Sequence, residues 1–113
     1  MKPIIVTKKD SLEEEINSGA MTRFAGVSEH LSNATNIHMA IANIPIDRCS
    51  TTHYHTNCES AIYVLSGSGL FVHGENMDIQ DEISAGDFIF VPAGALHQPV
   101  NTGETTLKLI VAR

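Results

Sequence analysis

The chain has 113 residues, about one domain in length, and its 42% hydrophobic content can fill one modest core. Thirteen acidic residues against seven basic ones give a formal charge of −6, which excludes the clustered Lys and Arg that a general grip on phosphate backbones needs, so nucleic acid is not an expected partner. The apolar run at residues 4–6 is stopped by Thr7, Lys8 and Lys9, far short of a signal-peptide core or a membrane span, so a cytoplasmic location without a membrane partner is expected.

Residues 1–20 read as an N-terminal strand and helical turn, and residues 21–113 as a barrel, together forming a single domain. Ser11-Leu12-Glu13-Glu14 carries the S-x-x-E capping pattern, Leu12 and Ile16 are four apart as one helical face requires, and Gly19 ends the turn. From residue 21 the pattern changes to short apolar stretches broken by Gly, Pro, Asn and Asp, the signature of an all-β sandwich or barrel. The predicted strands are residues 22–27, 37–44, 52–55, 60–65, 69–73, 77–80, 88–91, 97–100 and 106–112. Ser66-Gly67-Ser68-Gly69 reads as a tight hairpin, because glycine reaches the positive φ that such turns demand. Ala85-Gly86-Asp87 reads as a turn introducing residues 88–91. In the last strand Leu107, Leu109 and Val111 share one face and Lys108, Ile110 and Ala112 the other. Both faces are largely apolar, which predicts a second layer outside the core and, with the open edges of a small barrel, a homodimer. Cys49 and Cys58 are too few for a disulfide framework and read as thiols.

The chemistry concentrates in His53-Tyr-His55-Thr-Asn-Cys-Glu59. Along a strand, residues i and i+2 point the same way about 6–7 Å apart, so His53 and His55 can aim their rings at one point. A metal needs further ligands, and residues 86–101 offer one: Pro92 closes a strand, Gly94 can take a turn conformation, and His97 begins a returning strand.

These two segments resemble the motifs of the small single-domain cupin superfamily proteins, roughly G-x5-H-x-H-x3/4-E-x6-G and G-x5-P-x-G-x2-H-x3-N. Gly86, Pro92, Gly94, His97 and Asn101 match every fixed position of the second. The first matches at His53, His55 and Glu59, with Asp47 in place of its opening glycine and seven residues instead of six between Glu59 and Gly67. The resemblance implies an all-β double-stranded β-helix, or jelly-roll barrel, with the short N-terminal helical turn outside it. It also implies one divalent transition metal held by His53, His55, Glu59 and His97. Such a nitrogen and oxygen donor set suits Fe, Mn, Ni, Cu or Zn. Gln98 and Asn101 follow His97 where hydrogen bonds could orient it, and Tyr63, Phe71, Phe88 and Phe90 are candidate pocket walls that could equally be core. His30, His38 and His73 read as surface or satisfied core histidines.

Relatives of this kind catalyse several reactions, so the fold does not choose among them. The expected function is a metal-dependent enzyme acting on a small oxygen-chelating organic molecule, a dioxygenase or decarboxylase. The alternatives are a non-catalytic module that binds a sugar or organic acid, or a metal-dependent isomerase.

Overall fold

The computed structural model describes all 113 residues. Its strands are β1 (Glu13–Glu14), β2 (Thr22–Val27), β3 (Met39–Ile44), β4 (Ser60–Ser66), β5 (Ser68–His73), β6 (Ile79–Ser84), β7 (Phe88–Val91), β8 (His97–Asn101) and β9 (Leu107–Ala112). They form a six-stranded sheet in the order β1-β2-β3-β9-β4-β7 and a three-stranded sheet in the order β6-β5-β8. From β4 onward the chain passes repeatedly from one sheet to the other, and every pairing is antiparallel. This is the expected double-stranded β-helix barrel.

Alternation along the strands builds the core. Ala42 and Ile44 of β3, Ile62 and Val64 of β4, and Leu107, Leu109 and Val111 of β9 all turn inward, where Met21, Phe71, Ile83 and Val91 meet them. The β3–β9 register pairs Ile44 with Leu107 and Met39 with Ala112, so the two inward rows run side by side. Truncating a side chain such as Leu109, only 1% exposed, removes about 2–5 kcal/mol of stability through lost burial and the cavity left behind.

Four local expectations are corrected. The helical turn near Ser11 is absent: β1 pairs with β2 there, and the Glu15 N–H donates to the Arg23 carbonyl. Main-chain bonds to a sheet edge win over a helix too short to hold itself together. The one helix, α1 (Glu29–Ser32), lies later; the Ser28 hydroxyl caps it by accepting from the Leu31 N–H, and Asn33 closes it in the left-handed region. Ser66-Gly67-Ser68-Gly69 is a corner, not a hairpin, since β4 and β5 belong to different sheets. Gly67, at φ +90, makes that corner, and a Cβ there would stand 2.8 Å from the Thr106 carbonyl oxygen. The strand expected at residues 77–80 starts two residues later, because Met77 lies in a bend at φ 53, and it runs as β6 from Ile79 to Ser84. Residues 52–55 form only an isolated bridge between His53 and His97. The 85–87 turn is as expected, with Asp87 accepting from the Ser84 N–H.

Candidate metal centre

The bridge is what assembles the site. The His53 N–H donates to the His97 carbonyl at 3.1 Å, and the His97 N–H returns a bond to the His53 carbonyl at 3.0 Å. A reciprocal antiparallel pair sets two side chains next to each other on the same face, and the two imidazole rings lie 4.2 Å apart. The Gly94 N–H donates to the His55 carbonyl and brings the third ring in, 5.4 Å from His53 and 5.8 Å from His97. Gly94 itself has φ +80, the turn conformation expected of it. One potential ligand atom from each of His53, His55 and His97 lies within 4.8 Å of the other two.

The hydrogen bonds around the rings fit a metal. His53 Nδ1 lies 2.8 Å from the Thr51 carbonyl oxygen, and His97 Nδ1 lies 2.9 Å from that of Ala95. A carbonyl only accepts, so each Nδ1 carries the proton and each Nε2 keeps a free lone pair. His55 Nε2 is buried with no partner, which costs free energy unless a ligand answers it. The His55 pKa is lowered to about 4, first by burial, then by Arg113, His53, His97 and Arg23. Burial, followed by His53 and Arg113, also lowers that of His97 against the raising effect of the Ala95 carbonyl. The rings of His55 and His97 are therefore neutral at physiological pH, the form that binds a metal.

Glu59 is not brought to the three histidines. It is exposed and borders a depression with Met39 and Phe90 that shares Ser60 and Arg113 with the histidine cavity. Strand alternation explains this: Ser60, Ile62 and Val64 turn inward, so the residue before Ser60 turns outward. With six residues left before Gly67, the spacing of the family motif, its acidic position falls on Ser60 and not Glu59. Ser60 is 3% exposed and lines the histidine cavity. The extra residue thus puts a hydroxyl where a carboxylate was expected. Asp47, in the place of the opening glycine, keeps the turn by adopting φ 59, which aspartate tolerates.

The other candidates divide. Phe71 is buried, its ring stacked 5.7 Å from that of His97 at an interplanar angle of 11°, and it lines the cavity. Gln98 Nε2 donates to the Ser50 carbonyl and tethers the segment leading to His53. Asn101 sits away from the centre; its Nδ2 donates to the carbonyls of Ile44 and Thr105 and its Oδ1 accepts from the Gly103 N–H. Tyr63 and Phe88 pair across β4 and β7 with rings 4.8 Å apart, and the exposed Phe88 and Phe90 line a larger cavity next to the histidines. His30 and His38 contact Glu13 and Glu15, and His73 contacts Asp81. Cys49 and Cys58 are free thiols.

Two residues of the site were not anticipated. Arg23 and Arg113 line the same cavity as the histidines and Ser60. Extending the inward row Leu107, Leu109, Val111 by one more step reaches Arg113, so the signal was available in the alternation. Beside this small cavity, and sharing Phe71 and His97 with it, is a larger one of about 500 Å3 between β6 and β7.

A barrel of two antiparallel sheets with three histidines converging inside it defines a class, and the comparisons agree with it. The chain belongs to the cupin family: residues 41–113 match the model described as Cupin domain. It is similar to the polyketide cyclase RemF from Streptomyces resistomycificus, with 22% identity, 99% of this chain and 78% of that one covered, and a TM-score of 0.77. A predicted oxalate decarboxylase from Thermotoga maritima has 23% identity, 96% of both chains covered, and a TM-score of 0.77. An RmlC-like cupin from Shewanella frigidimarina has 19% identity, with 98% of this chain and 90% of that one covered, and a TM-score of 0.75. At these identities the likeness shows the shared fold. No helix of the chain is long and apolar enough to cross a membrane.

Proposed function

We propose that the chain is a metal-dependent enzyme that acts on a small organic molecule through oxygen atoms, by oxygenation or decarboxylation. The observation that carries this reading is the convergence of three imidazoles, two of them with the tautomer set by main-chain carbonyls and the third with a buried, unpartnered nitrogen. His53, His55 and His97 would hold one divalent ion of Fe, Mn, Ni, Cu or Zn. Such an ion supplies Lewis acidity and open coordination positions for a substrate. Phe71 packs flat on His97 and keeps that side of the centre apolar. The adjoining cavity of about 500 Å3 is large enough for the rest of a small substrate.

The test begins with elemental analysis of protein purified without added metal or a nickel column. A screen of small chelating acids and diketones with and without oxygen follows. One metal per chain with turnover is the expected result. A protein that takes up no divalent metal under any condition overturns the reading, and one that is stabilised by ligands without turning them over is a binding module.

We also infer that two copies associate through the outer face of the six-stranded sheet. Phe88 is 80% exposed and Phe90 63%, and Met39 and Leu65 are exposed on the same sheet. Light scattering at micromolar concentration should give twice the chain mass, and Phe88→Glu should return the monomer.

A further inference from the structure

The inward rows of the six-stranded sheet end in a polar layer beside the histidines. β9 places Arg113 there, two residues beyond the inward Val111, and β2 contributes Arg23, two residues before the buried Ala25. The main chains of Arg113 and His38 exchange two hydrogen bonds, at 2.8 and 2.9 Å, which fix Arg113 at the sheet. Glu15 is the carboxylate in contact with this layer, and it is already engaged. Its Oε1 lies 3.2 Å from Arg23 Nη2 and its Oε2 lies 2.9 Å from His38 Nε2. Arg113 forms no ion pair, and its Nε is buried without a hydrogen-bond partner. Burial first, and Arg23 second, push the Arg113 guanidinium below its ordinary pKa against the raising effect of Cys58 and Glu15.

The charges do not balance. Of the two guanidiniums that line the cavity only Arg23 is in an ion pair, and a divalent ion on three imidazoles would add more positive charge with Ser60 standing where an anionic ligand was expected. Buried charge without a counter-charge is strongly unfavourable, so the missing anion is to be sought in what binds.

We propose that Arg23 and Arg113 receive a carboxylate of the substrate, so that the molecule taken by this centre is a small organic acid. A guanidinium offers two parallel N–H donors that match the two oxygens of a carboxylate. Both arginines line the same cavity as His53, His55 and His97, so a group they hold lies beside the metal ligands. The neutral protein ligands and the anionic substrate then complement each other: the substrate brings the charge that Ser60 does not. This proposal rests on the metal-dependent reading for its chemistry, but the arginines and their missing partner exist without the ion.

The test uses glycolate, the smallest chelating hydroxy acid, and ethylene glycol, its neutral analogue, titrated calorimetrically into metal-free and metal-loaded protein. Glycolate should bind and ethylene glycol should not. Arg113→Gln removes the charge and should weaken glycolate at least about tenfold, the loss of one charge-assisted contact. Its metal affinity should hold or rise, because a cation beside the ion has gone. Glu15→Gln frees Arg23 and should tighten glycolate, and Arg113→Lys should recover part of the loss. The far-ultraviolet spectrum of each variant checks that the barrel is intact. Equal glycolate affinity for Arg113→Gln and wild type overturns the proposal, as does equal binding of ethylene glycol, or tighter binding of inorganic phosphate than of glycolate. A protein that binds no metal but still needs Arg113 for glycolate would overturn the metal-dependent reading and leave this one standing.

Discussion

The two ends of the barrel both bury polar side chains and treat them in opposite ways. At the end where Ile44 meets Leu107, Asn101 is 1% exposed and three main-chain groups answer its amide. At the other end His55 Nε2, Arg23 Nε and Arg113 Nε are buried with no partner. A satisfied buried polar group holds the chain in one shape, whereas an unsatisfied one stores free energy that a ligand can release. Both ends carry residues of the family motifs, so motif membership alone does not separate scaffold from site.

The largest effect that would sharpen this comparison is at His97. His97→Ala should reduce metal affinity by about a hundredfold or more, because it deletes a donor outright, while the far-ultraviolet spectrum stays that of a barrel. Metal titration of stripped protein measures it. Asn101→Ala should do the reverse. It leaves the carbonyls of Ile44 and Thr105 and the N–H of Gly103 without their partner and should cost about 2–4 kcal/mol in urea unfolding. Metal per folded chain should not change, and a loss of metal at unchanged stability would break the comparison.

Acid should act on one end only. Because His55 falls from its ordinary 6.5 to about 4 in the folded chain, the unfolded state takes up its proton first as pH drops. The metal-free protein should therefore keep this stability above pH 6.5 and lose it progressively down to about pH 4, followed by thermal unfolding across that range. The smallest effect is at Glu59. Glu59→Gln should bind metal within about twofold of wild type, as an exposed carboxylate outside the centre would.

The sequence made much of this legible, and its gaps have physical causes. Inward and outward rows followed from period-two alternation, and the second motif located His97 because Pro92 and Gly94 have restricted or unusual backbone roles. Spacing alone could not decide between Glu59 and Ser60, since a carboxylate is the chemically better ligand and only the strand's phase shows which of the two faces inward. Gly67 was read as a hairpin because a corner between sheets asks the same positive φ of glycine. Local composition does not say which sheet a strand will join. Arg113 escaped notice because a charged residue at a strand end is ordinarily solvated, and its burial depends on neighbours far away in the chain.

The carbonyls of Thr51 and Ala95 that fix the tautomers of His53 and His97 belong to the main chain, within two residues of the rings they hold. A side-chain partner could be lost by a single substitution, but a peptide carbonyl is present whatever residue carries it. The centre is therefore insulated from drift in its surroundings, and the cavity walls are free to vary without misaligning the rings. A lineage built on this barrel can change what it accepts while inheriting intact the means of holding an ion.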